Sequence, residues 1–313
     1  MKRLALQLAS MLLCTVGCAC PASAQSRVEC SELPSAILHR SVRFCVILPP
    51  GYDAGKTQRY PVMYFLHGLG QNEQTLITTG AWNIAEEERH SGRIGDFLVV
   101  TPEGNASFYI NSRDGKVRYE DFFIREFMPA IEHKYRTYAR RSARAIGGVS
   151  MGGYGALRFA FEYPQMFSAV AVQMPALYDT LPPAFSAAAA LGPRGRQFDA
   201  GGAFGTPPDE QFWEQNSPFT LAGERATQFR GLKIYFDCGD HDDYGFDAGA
   251  RSLDLILAHS GVAHEFHIYP GGHDWAFVAA HFAQVLQFEW EAMSSRAETH
   301  GTPGQAQRRG EKH

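Results

Sequence analysis

Residues Gly148-Val149-Ser150-Met151-Gly152 form a G-x-S-x-G motif between an apolar, strand-like run and a helix-like segment. A serine held on so sharp a turn leaves no room for side chains two residues away on either side, and glycine removes them. The helix that follows points its positive end at the hydroxyl, which favours negative charge developing there. A purely structural glycine-rich turn is the alternative. The position directly after the strand favours Ser150 as the nucleophile of an acyl transfer.

A serine hydroxyl needs a base to remove its proton, and the chain offers 12 histidines. His273 follows Tyr269-Pro270-Gly271-Gly272, which ends the last predicted strand, and it precedes the last predicted helix. That loop lies at the sheet edge that also carries Ser150. His264 and His267 fall beside or within the strand, where packing or surface roles are expected. We therefore predict His273 as the base.

The base needs a carboxylate that fixes its tautomer and stabilises the imidazolium. The run Asp237-Cys238-Gly239-Asp240-His241-Asp242-Asp243 follows another predicted strand and lies between the serine and the histidine in the chain. Because the chain must leave the sheet before a side chain can turn back, Asp242 is favoured, followed by Asp243 and then Asp240. Calcium binding is an alternative use of such a cluster, but no EF-hand spacing is present. No metal site is predicted.

Acyl transfer also needs hydrogen-bond donors for the oxyanion of the tetrahedral intermediate. The elbow itself supplies the backbone N–H of Met151. The second donor is expected from His67-Gly68-Leu69-Gly70, which directly follows the predicted strand Val62–Leu66, and we nominate the N–H of Leu69. Each donor contributes roughly 3 kcal/mol of transition-state stabilisation. His67 is expected to orient this loop rather than to transfer protons.

The elements that must position these residues alternate along the chain. Short apolar runs, several of them continuous, suit strands buried on both faces of a sheet. Strands alternating with helical patterns predict an α/β fold with a mostly parallel central sheet and helices on both faces. One helix is predicted over Tyr119–Arg136, with an apolar stripe at every fourth residue and a kink at Pro129. The predicted strands are Val42–Leu48, Val62–Leu66, Phe97–Thr101, Ala145–Val149, Ala169–Gln173, Leu232–Asp237 and Glu265–Tyr269.

Composition divides the chain into three parts, the second of which contains an insertion. Lys2 and Arg3, an apolar run to Cys18 and the small residues Ala22-Ser23-Ala24 predict a signal peptide over residues 1–24, with a membrane anchor as the alternative. Residues 25–293 are expected to form one α/β domain. Proline- and glycine-rich punctuation over residues 176–230 predicts an irregular insertion within it. Residues 294–313 are polar and are expected to be a disordered tail.

The signal peptide predicts a secreted or periplasmic protein. In such a compartment Cys30 and Cys45, on either side of a predicted hairpin, can pair, whereas two reduced, buried thiols are the alternative. Cys238 is expected to be buried at a strand end. A net charge of -4 and a pI near 6.3 give no indication of nucleic acid or an anionic membrane as partner. The oligomeric state cannot be read from the sequence.

Beyond these single motifs, the chain resembles the esterase D-like family of esterases, which includes S-formylglutathione hydrolases, feruloyl and acetyl xylan esterases and mycolyltransferases. The matching segments run in the family's order from Val42 to Trp290. They are Leu48-Pro49-Pro50-Gly51-Tyr52-Asp53, Tyr60-Pro61-Val62, Leu66-His67-Gly68, Gly148-Val149-Ser150-Met151-Gly152-Gly153-Tyr154-Gly155-Ala156, Asn216-Ser217-Pro218, Cys238-Gly239 and Pro270-Gly271-Gly272-His273-Asp274-Trp275.

The resemblance implies an α/β-hydrolase fold in which Ser150, Asp242 and His273 form the triad and Leu69 and Met151 supply the oxyanion donors. It also implies that no metal or organic cofactor is needed. The doubled acid at 242 and 243 and the diverged insertion depart from the family's pattern. The first leaves the identity of the acid open, and the second obscures specificity.

The main hypothesis is hydrolysis of carboxylic esters through an acyl-enzyme. An acyltransferase of the mycolyltransferase type and a non-catalytic binding protein on the same scaffold are the alternatives. Expected substrates are short-chain acyl esters or polysaccharide-linked acetyl or feruloyl esters. Trp82, Tyr109 and the neighbouring Phe108 are candidate pocket residues, although ordinary packing is the competing interpretation. Aromatic residues of the insertion are candidates for a lid: Phe185, Phe198, Phe204, Phe212, Trp213 and Phe219.

Overall fold

The computed structural model describes residues 26–53, 55–181 and 202–294. At its centre lies an eight-stranded sheet with the order β1-β2-β4-β3-β5-β6-β7-β8. The strands are β1 Arg27–Ser35, β2 Arg40–Leu48, β3 Val62–Leu66, β4 Leu98–Pro102, β5 Arg144–Val149, β6 Ala169–Gln173, β7 Lys233–Gly239 and β8 Glu265–Tyr269.

The six strands from β3 to β8 run parallel to one another, which confirms the predicted sheet. Every residue of β3, β4 and β6 is buried, as continuous apolar runs require. The predicted bounds of β3, β6 and β8 agree with the structure, and those of the other predicted strands differ by one or two residues at an end. Because parallel strands end at the same edge, the loops that follow them converge there.

Strand β1 was not among the predicted strands. It is one of the two edge strands of the sheet, and nearly all of its residues are exposed or partly buried, so it lacks the apolar signal of the interior strands. It pairs antiparallel with β2 in a hairpin that sets Cys30 opposite Cys45, and the two cysteines form a disulfide. Cys238 is a buried free thiol.

Helices cover both faces of the sheet. A Cβ added to Gly147 would meet Glu289 of the last helix, whereas one added to Gly148 would meet the backbone of Gly152 in the helix after β5. Because neighbouring strand residues point to opposite faces, these two helices lie on opposite sides. The helices are α1 Thr75–Thr78, α2 Ala81–His90, α3 Tyr119–Phe122, α4 Met128–Lys134, α5 Met151–Glu162, α6 Glu210–Asn216, α7 Pro218–Arg225, α8 Phe246–His259 and α9 Trp275–Ser294.

The helix predicted over Tyr119–Arg136 consists of α3, a π-helical segment Phe123–Phe127 and α4. Its irregularity therefore takes the form of a π-helical turn that ends just before Pro129 rather than a simple kink at the proline. Proline has no N–H to continue the regular hydrogen bonding. The predicted stripe is buried throughout, with Phe123, Phe127, Ile131 and Tyr135 at most 4% exposed.

The connection between β6 and β7 contains α6 and α7 and corresponds to the predicted insertion. The predicted signal peptide, Phe185 and Phe198, and the predicted tail from residue 295 onward lie outside the described residues. Within the three described ranges, no helix has both the length and the apolar character that crossing a bilayer requires.

Candidate active site

Ser150 stands on the sharp turn between β5 and α5, with φ 55° and ψ -119°, a backbone region that non-glycine residues seldom occupy. The two glycines of the motif make this turn possible. A Cβ on Gly148 would lie 2.6 Å from the carbonyl oxygen of Leu66, and one on Gly152 would lie only 1.9 Å from the same oxygen. The crowding thus comes from the end of β3 as well as from the turn itself.

His273 and Asp242 are brought together from the loops that follow β8 and β7. The imidazole Nδ1 lies 2.6 Å from Asp242 Oδ2. The second carboxylate oxygen accepts hydrogen bonds from the backbone N–H groups of Tyr244 at 2.9 Å and Phe246 at 3.3 Å. Asp242 is completely buried, so these donors replace the water that a carboxylate needs.

Burial alone would raise the pKa of Asp242, but the hydrogen bond and charge of His273 and the two backbone donors outweigh it and hold the pKa below its ordinary value. The carboxylate form is therefore the stable one beside the imidazole. The rings of Tyr244 and Phe246 contact the His273 ring edge-on, with centroids 4.8 and 5.3 Å away. They fix the plane of the imidazole.

The two neighbouring candidate acids, Asp240 and Asp243, have other contacts in the structure. Asp240 Oδ1 lies 2.6 Å from Nδ1 of His241 and accepts the N–H of Gly271 at 3.0 Å. Asp243 is partly buried beside Gly272. Of the three candidate acids, Asp242 is the one that the structure pairs with His273.

His67 links the loop after β3 to the loop after β4. Its Nε2 accepts the N–H of Gly104 at 2.8 Å, so the ring proton must be on Nδ1, which donates to the carbonyl of Gly68 at 2.8 Å. Burial lowers the pKa of this imidazole, in keeping with a neutral ring. His67 thus has the loop-orienting contacts that the sequence predicted.

The loop after β3 is closed further by Gln71. The side-chain oxygen of Gln71 accepts a hydrogen bond from the backbone N–H of Gly68 at 2.8 Å, and the backbone N–H of Gln71 donates to the carbonyl of Gly68 at 3.2 Å. Between these anchored positions lies Leu69, whose N–H donates to no other described residue. Met151 is the first residue of α5, where the backbone N–H has no partner within the helix. Leu69 lines the same cavity as Ser150, and Met151 directly follows Ser150 in the chain, so both predicted donors belong to the loops around the serine.

Leu69, Ser150 and His273 line one cavity of about 330 Å³, a volume within the size range of small-molecule sites. Four of its residues lie outside every motif named in the sequence analysis: Gln71, Met174, Tyr244 and Val278. Gln71, Met174 and Tyr244 could in principle have been predicted from the sequence, because they follow the carboxyl ends of β3, β6 and β7. The lining residues are Gly68, Leu69, Gly70, Gln71, Val149, Ser150, Met174, Tyr244, His273, Asp274, Trp275 and Val278.

The predicted pocket residues Trp82 and Tyr109 do not line this cavity. Tyr109 is fully buried, and its hydroxyl donates to the carbonyl of His67 at 2.9 Å. Trp82 is partly buried in α2 and packs against the core. Tyr109, which follows β4, thus turns inward beneath the loop of His67, whereas Trp82 contributes to packing of α2 against the core.

The described aromatic residues of the insertion, which were candidates for a lid, pack in or against the hydrophobic core. Phe204 is 1% exposed and contacts the rings of Phe108 and Tyr154. Trp213 is 5% exposed. These residues are not among those that line the cavity of Ser150.

The parallel sheet, the nucleophile elbow after β5 and the acid and histidine loops after β7 and β8 define an α/β-hydrolase fold. Residues 35–288 match the family described as "Putative esterase". The chain belongs to that family.

Curated relatives and solved structures similar to this chain are also named as esterases. An esterase of Mycobacterium tuberculosis is 32% identical over 254 residues, which are 73% of this chain and 51% of the relative. An acetyl esterase of Caldicellulosiruptor saccharolyticus is 27% identical over 270 residues, 82% of this chain and 94% of the relative. The solved structure of a ferulic acid esterase superposes with a TM-score of 0.74 at 27% identity and covers 86% of this chain and 99% of its own. The chain spans about half the length of the first curated relatives it matches.

Proposed function

We propose that this chain hydrolyses carboxylic esters through an acyl-enzyme formed on Ser150. The observation that carries the proposal is the pairing of the buried Asp242 with His273, which lines the same cavity as Ser150. Membership of the esterase family supports the same reaction.

In the proposed mechanism, His273 Nε2 accepts the proton of the Ser150 hydroxyl as its oxygen attacks the ester carbonyl. The N–H groups of Leu69 and Met151 bind the oxyanion of the tetrahedral intermediate. Asp242 stabilises the imidazolium, which then gives its proton to the departing alkoxide. Water, activated by the same imidazole, adds to the acyl-enzyme and releases the acid. These steps use the chain's own residues and require no cofactor.

The proposed substrates are short-chain acyl esters, with polysaccharide-linked acetyl or feruloyl esters as the natural context. The cavity is small, and part of its wall is apolar, which suits a compact acyl group. The apolar lining residues are Leu69, Val149, Met174, Trp275 and Val278. The names of the acetyl esterase and ferulic acid esterase relatives point the same way.

A fluorophosphonate tests the nucleophile, because it reacts with an activated serine. We expect one adduct, located on Ser150 by peptide mass spectrometry, and none in the Ser150→Ala variant. Ser260→Ala, which changes an exposed serine at the end of α8, should label like the wild type. Absence of an adduct from the folded wild type would favour a binding protein.

Product analysis separates hydrolysis from acyl transfer. With a model acetyl ester and a sugar acceptor, we expect free acetate as the main product. Predominant acetylation of the sugar would replace the hydrolase proposal with an acyltransferase.

We also propose that residues 1–24 are a signal peptide and that the enzyme is secreted or periplasmic. The basic start, the apolar run and Ala22-Ser23-Ala24 support this, as does the disulfide, which is favoured in oxidising compartments. Expression of the full chain in a secreting host should yield exported protein beginning at Gln25. Retention of the uncleaved chain in the cytoplasm would contradict the proposal.

A further inference from the structure

We infer that the mouth of the cavity selects against negatively charged esters and that Asp274 sets this selectivity. The inference rests on the proposed function, because it concerns the substrates of the same cavity. Among the described residues that line it, Asp274 is the one carboxylate, and none is a lysine or an arginine. The described part of the lining therefore presents a carboxylate, and no lysine or arginine, to an entering substrate.

Further carboxylates surround the loop that carries His273. Asp240 holds the N–H of Gly271 at 3.0 Å. A Cβ placed on Gly272 would lie 3.9 Å from Oδ2 of Asp243 and 3.9 Å from Oδ2 of Asp274. Two further carboxyl groups, those of Asp240 and Asp243, thus lie on or beside the loop that carries Asp274.

Asp274 is also held in place. Its Oδ1 accepts the N–H of Phe277 at 2.8 Å at the start of α9, while Oδ2 lies on the side of Gly272. Asp274 is exposed to solvent, so we expect its carboxylate to repel an anionic group by an amount that salt screens. A neutral group meets no such repulsion, and a cationic group is attracted.

Three aryl acetates that share the acyl group test this inference: methyl 4-acetoxybenzoate, which is neutral, 4-acetoxybenzoate, which is anionic, and 4-acetoxy-N,N,N-trimethylanilinium, which is cationic. The measured quantity is kcat/KM for the neutral ester divided by that for each charged ester. In Asp274→Asn, the amide oxygen preserves the contact with Phe277 while the charge is lost. We expect the variant to lower the neutral-over-anionic ratio about fivefold at low salt and to raise the neutral-over-cationic ratio. Comparing ratios between variants cancels the intrinsic reactivity of each ester.

Salt provides a second readout. Raising NaCl from about 10 mM to about 1 M shortens the Debye length from ~30 Å to ~3 Å, so the wild-type ratios should converge on those of Asp274→Asn. Asp53→Asn makes the same change in net charge at a surface position after β2 and should leave the ratios at wild-type values.

The outcomes separate the two proposals. If the wild type hydrolyses the neutral ester but Asp274→Asn leaves both ratios unchanged, the charge selectivity is overturned and the esterase proposal stands. If Asp53→Asn shifts the ratios equally, net charge rather than Asp274 is responsible. If the folded wild type hydrolyses none of the three esters, both proposals fail.

Discussion

At the scale of single residues, the buried carboxylate of Asp242 is the charged partner of the His273 imidazole. Replacing it with asparagine keeps the shape but presents either an amide N–H or a neutral oxygen to Nδ1, so the imidazolium loses its charged partner. We expect Asp242→Asn to lower kcat/KM for a neutral ester by about 10³- to 10⁴-fold. Asp243→Asn, one residue away, should cost less than about tenfold. A larger loss in Asp243→Asn than in Asp242→Asn would reverse the assignment of the acid.

The close approach of Gly152 to the end of β3 predicts that a larger residue at position 152 destabilises the protein. An added methyl would lie 1.9 Å from the Leu66 carbonyl oxygen, so β3 and the start of α5 must separate. We expect Gly152→Ala to lower the free energy of unfolding by at least about 3 kcal/mol, measured by urea denaturation. Gly223→Ala is the matched control, because an added methyl there meets nothing within 4 Å and alanine favours the helix. Equal stability of the two variants would contradict the close approach described for the turn.

At the scale of elements, the β1–β2 hairpin depends on a covalent link as well as on its hydrogen bonds. The disulfide spans a sequence separation of 15, and closing a loop of that size stabilises a protein by roughly 3 kcal/mol in the chain-entropy model. Cys30→Ser with Cys45→Ser should lower the free energy of unfolding by about 2–4 kcal/mol. A reductant should destabilise the wild type and leave the double variant unchanged; an equal response of both would contradict the role of the disulfide.

The elements also show what the sequence could predict. The first and last residues of interior strands such as β3 and β6 were predicted correctly. Both faces of these strands are buried, so each appears in the sequence as a continuous apolar run. The edge strand β1 was missed because half of its side chains meet water. The nucleophile, base and acid could be predicted because each follows a strand whose end is visible in the sequence.

Pocket residues were predicted less well. Trp82 and Tyr109 follow β3 and β4 in the chain, but the direction in which each side chain points depends on tertiary contacts. The hydroxyl of Tyr109 turns inward to the carbonyl of His67, and no local pattern encodes that contact. Met174 and Tyr244, in contrast, face the cavity without any motif of their own.

At the scale of the whole molecule, stability should depend on pH through a buried acid that the proposed mechanism does not use. Asp237 is fully buried on β7, and only one of its oxygens has a partner among the described residues, with Tyr235 the nearest donor at 2.9 Å. Burial raises its pKa to about 8. The folded state therefore keeps a proton that the unfolded state releases near pH 4.

The stabilising contribution of protonated Asp237 is complete below about pH 4 and is lost as the pH rises to about 8, at up to ~1.4 kcal/mol per pH unit. We expect Asp237→Asn, which cannot ionise, to have a flatter dependence of unfolding free energy on pH across this range. Urea denaturation of both proteins at several pH values measures the difference. Parallel curves would show that Asp237 does not titrate between the two states.

The connection between β6 and β7 leaves and re-enters the sheet at two neighbouring strands, which are hydrogen-bonded from Ala169 opposite Lys233 to Gln173 opposite Asp237. The sheet thus fixes both ends of this connection, and Ser150 and His273 are carried by other loops. A graft of different length between these ends would leave the nucleophile and base in register. This makes the β6–β7 connection the natural place at which to exchange one specificity for another, in the laboratory as in evolution.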